Sequence, residues 1–362
     1  MIYLAEFVLG FSLLQLLIAF INLLFSQPLI YSPTNSKKVS VLIPARNEEH
    51  NIGLILRDIQ NQTYQNIDII VFDDQSEDNT LSVIKSHMLY DDRIKLIQSN
   101  ELPMGWLGKN YGCHCLASEA EGELLLFLDA DVRLNADAIE KTIGYFDKYQ
   151  LDLLSVFPTQ ITSSWGERLT IPIMNSILLS LLPLILIRKS NFASLSAANG
   201  QFMLFDAKTY KKLLPHEVMK SQKVEDIKIA QYYKKHNAKV ACLTGTNSIK
   251  CRMYTNYDDA ITGFSKNIIS FFGNSVLIAG LYWLTTTFGI LLVLYSLTHL
   301  ASLIYLLAIL LTRIVVSIIS RQKITDSLLL YFPLQWVHGV ILFKAILNKT
   351  KKQYQWKGRS IS

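Results

Sequence analysis

The chain has 362 residues, of which 50% are hydrophobic and only 18% are charged, and its mean hydropathy is +0.26. Soluble domains carry about 25% charged residues, so this composition argues against a purely soluble protein and predicts that part of the chain lies in lipid. The net charge of +6 is modest, and no basic stretch is interleaved with aromatic residues, so no nucleic acid partner is expected.

The first predicted element is a membrane anchor in residues 1–30. Residues 7–25 are almost all apolar and supply the roughly 20 residues that a helix needs to cross the hydrocarbon core of a membrane. No basic segment precedes this run, and the first lysines, Lys37 and Lys38, follow it, which favours an uncleaved helix over a signal peptide. Because positive residues favour the cytoplasmic side, the following domain is expected in the cytoplasm.

An α/β domain is predicted for residues 31–273. Short β-branched and apolar runs indicate buried strands, and the amphipathic stretches between the first strands indicate helices. The strands are expected at residues 39–43, 67–72, 94–97 and 124–128, and the helices at residues 51–61 and 80–90. This alternation implies right-handed crossovers and a mostly parallel sheet.

Further apolar runs predict additional membrane contacts. Residues 171–187 are interrupted by prolines, so we expect an interfacial helix within the α/β domain. Residues 274–348 contain candidate spans at 276–297, 301–319 and 328–347. The last of these has basic residues on both sides, so a full span and a re-entrant or interfacial helix both stay open. Residues 349–362 are expected to form a basic cytoplasmic tail.

Acidic residues follow two of the predicted strands. Asp129 and Asp131 are separated by one residue at the end of an apolar strand, and Asp73 and Asp74 follow an earlier strand. Because parallel strands deliver their carboxyl ends to one edge, where open α/β sheets bind ligands, these acids are expected to converge. Hard carboxylate oxygens suit Mg2+ or Mn2+ that bridges a diphosphate. The alternative is a solvated loop or a helix cap.

Two further segments carry charged side chains that suit a phosphate site or acid–base chemistry. Residues 103–110 combine glycines with Lys109, which can bring backbone and a point charge against phosphate, although an ordinary surface loop is the alternative. Glu225 and Asp226 begin a helical pattern, where helix capping is a sufficient structural explanation.

The order of these segments resembles the donor-site motifs of family 2 glycosyltransferases. The resemblance rests on residues 43–49 (I-P-A-R-N-E-E), 73–80 (D-D-Q-S-E-D-N-T) and 128–132 (L-D-A-D-V). It implies a GT-A, Rossmann-like fold that binds a nucleotide sugar together with Mg2+ or Mn2+. The donor-binding residues that it implies are Pro44, Arg46, Glu48, Asp73, Asp74, Lys109 and Asp129, and the metal ligands are Asp131 and Asp129.

The same resemblance implies residues for catalysis and for the acceptor. Asp226, with Glu225 beside it, resembles the aspartate that acts as general base in a single, inverting displacement. The W-K-G-R sequence at residues 356–359 resembles the tail of bacterial carotenoid glycosyltransferases, which implies that the tail returns toward the active site. The residues expected near the acceptor or the leaving diphosphate are Gly200, Gln201, Arg252, Lys266, Trp356 and Arg359.

We therefore expect an inverting hexosyltransferase that is multi-pass in a bacterial cell membrane, with a cytoplasmic catalytic domain. The expected donor is UDP-glucose, and the expected acceptor is a membrane lipid such as a carotenoid acid. A processive polysaccharide synthase is one alternative, but the Q-x-x-R-W signature of such enzymes is absent. A non-catalytic membrane scaffold is the other, and it is disfavoured because Asp74, Asp129, Asp131 and Asp226 are all present.

Overall fold

The computed structural model describes residues 1–29, 36–244, 247–351, 355–356 and 359–360. Its strands are β1 (Val39–Ala45), β2 (Ile67–Asp73), β3 (Ile94–Gln98), β4 (Leu124–Leu128), β5 (Val132–Leu134), β6 (Leu153–Phe157), β7 (Thr159–Gln160), β8 (Phe202–Asp206), β9 (Val240–Thr244), β10 (Ile249–Cys251), β11 (Gln355–Trp356) and β12 (Arg359–Ser360). Its helices are α1 (Ile2–Leu24), α2 (Ile52–Gln60), α3 (Thr80–Met88), α4 (Gly108–Glu119), α5 (Ala138–Lys148), α6 (Trp165–Leu181), α7 (Leu184–Lys189), α8 (Ala207–Leu213), α9 (Pro215–Val218), α10 (Glu225–Lys235), α11 (Tyr257–Asn267), α12 (Val276–Ser296), α13 (His299–Ser320), α14 (Ile324–Leu329) and α15 (Tyr331–Lys351), with a 3-10 helix at Ile268–Phe272.

Seven of these strands form one central sheet in the order β3-β2-β1-β4-β8-β6-β9. The pairs β1–β2, β2–β3, β1–β4 and β6–β9 are parallel, whereas β8 is antiparallel to both of its neighbours, β4 and β6. The predicted α/β fold with a mostly parallel sheet is therefore confirmed, and within this sheet β8 runs against the other six strands.

Helices cover both faces of the central sheet. Strand β1 is buried along its length, as is usual for a central strand of a parallel sheet. Val39, Val41 and Ile43 belong to a core shared with α2, α3 and α5, whereas Leu42 belongs to a core shared with α4 and α10. Since alternate residues of a strand point to opposite faces, this one apolar run contributes to two cores.

A smaller sheet of β5, β10 and β7 lies next to the carboxyl end of β4. Strand β5 follows β4 after the turn at residues 129–131 and pairs antiparallel with β10, where Val132 is opposite Cys251. The turn is thus held between two sheets, which fixes Asp129 and Asp131 at the carboxyl edge of the central sheet.

Three of the described helices, α1, α12 and α13, are long and apolar enough to cross a membrane by length and composition. They contact one another through a small buried cluster that includes Val8 of α1, Val293 of α12 and Tyr305 of α13. Many leucine side chains on their outer surfaces are exposed, as expected for helices that face lipid.

Asn22, near the end of α1, links these helices to the α/β domain. Its side-chain amide donates to the carbonyl oxygens of Leu179 and Leu182, both at 2.9 Å, and its Oδ1 accepts from the N–H of Leu184 at 2.7 Å. These backbone groups lie where α6 ends and α7 begins, and such terminal groups have no partner within their own helix. Asn22 therefore satisfies them and fixes α1 against α6 and α7.

The segment predicted as one interfacial helix at residues 171–187 is divided between two helices. Helix α6 begins before the apolar run, behind a capping box formed by Ser164 and Glu167, and continues through Pro172. Pro183 is the residue immediately before α7. The apolar run alone misplaced the start of α6 because the Ser-x-x-Glu start signal lies outside that run.

Helix α15 packs along only part of α12. Near its start, Tyr331 Oη donates to the carbonyl oxygen of Thr286 at 2.8 Å, and near its end Lys349 Nζ donates to that of Asn274 at 3.2 Å. It therefore runs beside the first half of α12, and both alternatives for residues 328–347 stay predictions. In the tail, β11 and β12 form a short antiparallel ladder, and residues 352–354, 357–358 and 361–362 lie outside the described residues.

Candidate active site

Two loops at the carboxyl ends of β1 and β2 form the first part of the site, and we call residues 46–49 and 74–80 the loop pair. Arg46 is buried, and its guanidinium donates to the carbonyl oxygens of Asp74 at 2.6 Å and Gln75 at 3.0 Å. Gln75 has a left-handed backbone conformation, with φ of 54°, which turns the second loop sharply. Arg46 therefore holds the second loop against the first.

Hydrogen bonds from side chains to backbone close the loop pair further. Asp78 accepts from the N–H groups of Glu49 at 3.1 Å and Thr80 at 3.0 Å, and Thr80 Oγ1 accepts from the N–H of Glu48 at 2.7 Å. Burial raises the pKa of Asp78, but the hydrogen bonds from Thr80 and Glu49 lower it more, so the net shift is downward. An ionised Asp78 thus fixes the backbone of both loops.

Lys109 is the cation of a group that we call the acidic cluster, which consists of Lys109, Asp129, Asp131, Glu225 and Asp226. Its Nζ lies 2.7 Å from Asp129 Oδ1 and 3.7 Å from Glu225 Oε1. Burial lowers the pKa of Lys109, but the charges of Asp129 and Glu225 raise it more, so the lysine stays protonated. One lysine faces several carboxyl groups, which gives the acidic cluster an excess of acids.

Gly200 brings the main chain into the acidic cluster. Its N–H donates to Asp226 Oδ2 at 3.0 Å, and Asp226 Oδ1 accepts from the N–H of Ile227 at 2.7 Å. A β-carbon built on Gly200 would lie 3.3 Å from Lys109 Nζ and 3.4 Å from Glu225 Oε1. Glycine therefore permits a close approach of backbone to the charged groups.

Gln201 connects the aspartates of the turn at residues 129–131. Its carbonyl oxygen accepts from the Asp129 N–H at 3.1 Å, and its Nε2 lies 2.9 Å from Cys251 Sγ and 3.5 Å from Asp131 Oδ2. In the part of the chain that the structure describes, Asp131 Oδ1 is buried without a hydrogen-bond partner. Buried polar atoms ordinarily have partners, so this oxygen is suited to a ligand from outside the chain.

Asp131 and Asp129 fit a divalent cation that also binds a phosphate ligand. Within the described ranges, no group of three His, Cys, Asp or Glu side chains is arranged to hold a metal ion by itself. Mg2+ at phosphate sites, however, usually takes one or two protein carboxylates and completes its shell with phosphate and water oxygens. The unpartnered Oδ1 of Asp131 is a ligand atom of the required kind.

The carboxyl groups of the acidic cluster have raised pKa values. Burial, and then the charge of Asp129, raises the pKa of Asp131 to about 7. Burial also raises the pKa of Glu225 to about 7; Lys109 opposes this shift and Asp226 adds to it. The pKa of Asp226 is raised mainly by burial. Carboxyl groups that titrate near neutral pH are suited to proton transfer, and such shifts often mark functional sites.

The other predicted donor-site residues lie around the same edge. Pro44 is within β1, and Asp73 ends β2 opposite Ala45. Asp73 Oδ1 is a second buried oxygen that lacks a hydrogen-bond partner among the described residues. Glu48 is near enough to Asp131 for its charge to raise the pKa of that carboxyl group. The fold therefore brings the loop pair beside the acidic cluster.

Other predicted residues have different surroundings. Arg252 Nε lies 2.7 Å from Oε1 of the fully buried Glu167, so its guanidinium is held at the start of α6. The sequence analysis did not single out Glu167, although the Ser-x-x-Glu pattern that contains it is typical of a helix start. Lys266 lines a cavity of about 360 Å³ between α10 and α11, which no member of the acidic cluster lines. Trp356 and Arg359 pair through backbone, and their side chains lie outside what the structure describes.

Comparison with known proteins agrees with this geometry. Residues 40–214 match the model of glycosyl transferase family 2. Over 242 residues the chain is 26% identical to 4,4'-diaponeurosporenoate glycosyltransferase from Staphylococcus haemolyticus, with 64% of this chain and 61% of that protein covered. Over 138 residues it is 36% identical to the protein of the same name from Staphylococcus aureus, with 37% of this chain and 35% of that protein covered. The chain thus covers less than two thirds of the length of these relatives.

The fold also resembles a solved structure, a mannosyltransferase from Pyrobaculum calidifontis in complex with GDP-Man and Mn2+. The TM-score is 0.59 at 14% sequence identity, with 97% of this chain and 99% of that chain covered. The matched family segment contains the loop pair, Lys109 and both aspartates of the turn, whereas Glu225 and Asp226 follow it. Residues 40–214 therefore match the model of glycosyl transferase family 2, and the α/β fold is of the GT-A type.

Proposed function

We propose that this chain is a membrane-bound glycosyltransferase that transfers a hexose from a nucleotide sugar to a membrane lipid, with inversion at the anomeric carbon. The proposal rests on one observation: Lys109 forms ion pairs with Asp129 and Glu225 next to Gly200. The backbone N–H of Gly200 also donates a hydrogen bond to Asp226. Sugar transfer needs positive charge at the diphosphate and a base at the acceptor, and the acidic cluster offers both.

The donor nucleotide binds against the loop pair, and its diphosphate faces the turn at residues 129–131. Asp131, with Asp129, would hold Mg2+ or Mn2+, whose charge neutralises the diphosphate. Lys109 adds a second positive charge at the same place, since its Nζ already lies 2.7 Å from Asp129 Oδ1. UDP-glucose is the donor that we expect.

Asp226 is the general base. The acceptor reacts as a hydroxyl group or as a protonated carboxyl group. Its oxygen attacks the anomeric carbon and gives its proton to Asp226, while the bond from that carbon to the diphosphate oxygen breaks and its electron pair leaves with the nucleoside diphosphate. The N–H groups of Gly200 and Ile227 orient the Asp226 carboxylate. Burial raises the pKa of Asp226, which makes its ionised form a stronger base than an exposed aspartate.

The acceptor comes from the membrane. Helices α1, α12 and α13 have the length and composition of membrane spans, and Asn22 fixes α1 directly against the catalytic domain. The name 4,4'-diaponeurosporenoate glycosyltransferase, carried by both relatives, supports a carotenoid acid as the acceptor. The lysines that follow α1 support a multi-pass protein of a bacterial cell membrane with its catalytic domain in the cytoplasm.

The test is transfer of labelled glucose from UDP-glucose into extractable lipid by membranes that contain the full chain, with Mg2+ or Mn2+. Asp226→Asn is the inactive variant, because an amide cannot accept the acceptor proton. Asp92→Asn is the matched control, because Asp92 is an exposed loop residue. We expect metal-dependent labelling by the wild type and by Asp92→Asn, and labelling by Asp226→Asn that is lower by about 10²–10⁴-fold.

A labelling rate in Asp226→Asn that is close to that of the wild type would contradict the assigned base. Label in a water-soluble polymer instead of lipid would favour the processive synthase. If none of a panel of UDP- and GDP-sugars labelled any extract, the non-catalytic scaffold would replace the enzyme.

A further inference from the structure

A polar cavity lies among the candidate membrane helices, apart from the acidic cluster. It is bounded by α1, α6, α12, α13 and α15, and its lining includes Gln15, Ser180, Thr286, Arg313, Tyr331 and Gln335. Hydroxyl, amide and guanidinium groups at this depth are unusual, because lipid offers them no hydrogen bonds. The cavity therefore needs an explanation that membrane insertion alone does not give.

Arg313 is the charged residue of this cavity. A guanidinium group stays protonated in proteins, so the charge of Arg313 does not depend on its surroundings. Arg313 lies seven residues before Ser320, the last residue of α13, which places it about 10 Å along the helix from that end at a rise of 1.5 Å per residue. A charge at such a depth is costly and usually faces a partner or a functional cavity.

No carboxylate of the described chain accompanies this guanidinium. Arg313 is absent from every ion pair found among the described residues, and the cavity lining contains neither aspartate nor glutamate. Its guanidinium carbon lies 4.9 Å from the centre of the Tyr331 ring, a contact that stabilises a cation without neutralising it. Arg313 thus lacks an anion.

Much of the remaining polar lining is already paired internally. Gln15 Nε2 donates to Ser180 Oγ at 3.0 Å, and Gln335 Oε1 accepts from the hydroxyl groups of Thr286 and Thr287, both at 3.3 Å. These neutral groups satisfy one another, so the unmatched feature of the cavity is the positive charge of Arg313. A ligand that completes the cavity should therefore be an anion.

The volume of the cavity limits which anions can bind in it. The space open to water-sized groups is about 50 Å³, and one water needs about 10–15 Å³ by the same measure, so roughly three to five such groups fit. A carboxylate is of this size and forms paired hydrogen bonds with the planar guanidinium, whereas a phosphodiester with its substituents is larger. Val8, Phe11 and Ile309 line the rest of the cavity and offer apolar surface to an attached hydrocarbon chain.

We propose that this cavity binds the carboxylate of a long-chain lipid acid, with Arg313 as its counter-ion. The proposal rests on the membrane placement of α13 given under the proposed function, but not on the sugar transfer reaction. Loss of catalysis would therefore leave it untouched, and a binding measurement on the purified full chain tests it separately.

The test is equilibrium binding of radiolabelled oleic acid to the detergent-solubilised full chain at pH 8, with oleyl alcohol as the uncharged probe of equal chain length. Hydrogen bonds between two charged groups are strong, so we expect the wild type to bind oleate at least tenfold more tightly than oleyl alcohol. Arg313→Gln should abolish this preference, and Arg313→Lys should retain only part of it, because lysine lacks the planar pair of donors.

Lys344→Gln is the matched control, since Lys344 is a cation of α15 whose partner is Thr262 and which does not line the cavity. This variant should keep the wild-type preference for oleate. If Arg313→Gln did not give a monodisperse protein, a photoactivatable fatty acid on the wild type would decide, with cross-links expected in the helices that bound the cavity. Equal preference in wild type and Arg313→Gln, tighter binding of phosphatidylglycerol than of oleate, or cross-links confined to helices that do not bound the cavity would overturn the proposal.

Discussion

The loop pair and the acidic cluster lie at the same edge of the sheet but are stabilised in opposite ways. In the loop pair, Arg46 donates to backbone carbonyl groups of the facing loop. Asp78 accepts from backbone N–H groups of Glu49 in the facing loop and of Thr80 in its own loop. In the acidic cluster, Lys109 faces more carboxyl groups than it can neutralise, and Asp131 Oδ1 has no hydrogen-bond partner in the described chain. The loop pair is complete without a ligand, whereas the acidic cluster is not.

Under the proposed function, this difference would separate residues that position the donor from residues that take part in the reaction. Changes in the loop pair should weaken donor binding and stability, because they remove hydrogen bonds that hold the backbone. Changes in the acidic cluster should alter rates and the dependence on pH, because they change the charge of the site.

The largest effect is expected for Asp226→Asn. Loss of a general base lowers kcat by about 10²–10⁴-fold, while KM for UDP-glucose should change little, since Asp226 does not hold the donor. Steady-state transfer at saturating acceptor measures both quantities. A variant whose KM rises while kcat stays the same would move Asp226 from catalysis to donor binding.

Lys109→Met is expected to affect both stability and rate. The variant leaves Asp129 and Glu225 without their cation. Breaking a fully buried ion pair typically lowers the free energy of unfolding by about 3–5 kcal/mol. We expect a smaller decrease here, because Lys109 and Asp129 are each about a quarter exposed. Thermal unfolding at pH 8 and pH 5 measures the effect. The loss should be smaller at pH 5, below the raised pKa of Glu225 of about 7, where that carboxyl group takes up a proton. An equal loss at both pH values would contradict the electrostatic explanation.

Glu225→Gln is expected to stabilise the fold at alkaline pH. Burial, opposed by Lys109 and reinforced by Asp226, raises the pKa of Glu225 to about 7, so its ionised form is disfavoured in the folded state. The destabilisation is absent below the unfolded pKa, near 4.5, and develops as the pH rises to 7. Since one pKa unit corresponds to about 1.4 kcal/mol, the free energy of unfolding of the variant should exceed that of the wild type by about 1–3 kcal/mol at pH 8.

Unfolding midpoints of wild type and Glu225→Gln between pH 4.5 and pH 8 provide this measurement. The two curves should meet near pH 4.5 and separate as the pH rises. Parallel curves over that range would show that Glu225 titrates as in an unfolded chain.

The smallest effect is expected for Asp78→Ala in the loop pair. The variant loses hydrogen bonds to the N–H groups of Glu49 and Thr80, which at a helix start costs about 1–2 kcal/mol. KM for the donor should rise several-fold while kcat changes less. Asp92→Ala is the control outside the loop pair, and a fall in kcat without a change in KM would remove the distinction between the two regions.

Sequence patterns predicted the elements that depend on local chemistry. The apolar runs at residues 39–43 and 124–128 became β1 and β4, because strands buried on both faces need continuous apolar residues. The carboxyl ends of parallel strands also predicted that acids after β2 and β4 would lie at one edge. These inferences needed no knowledge of distant contacts.

Long-range pairings were beyond the same reasoning. Glu167, which is 85 residues earlier in the chain, holds the guanidinium of Arg252, and the sequence did not indicate this contact. The place of Arg252 near the acceptor or the leaving diphosphate stays a prediction. Residues 301–319 were predicted as a candidate span from their apolar residues, and Arg313 within them lines the cavity that we propose as a carboxylate site. Its surroundings come from five helices, which a pattern along one segment does not reveal.

The hydrogen bonds of Asn22 bear on any attempt to express the catalytic domain as a water-soluble fragment. A fragment that began at residue 36 would lack α1 and leave the carbonyl oxygens of Leu179 and Leu182 and the N–H of Leu184 without this partner. Each buried polar group left unsatisfied costs about 1–3 kcal/mol. Engineering such a fragment therefore requires new side chains at the junction of α6 and α7, because deletion of the anchor alone also removes part of the domain's own support.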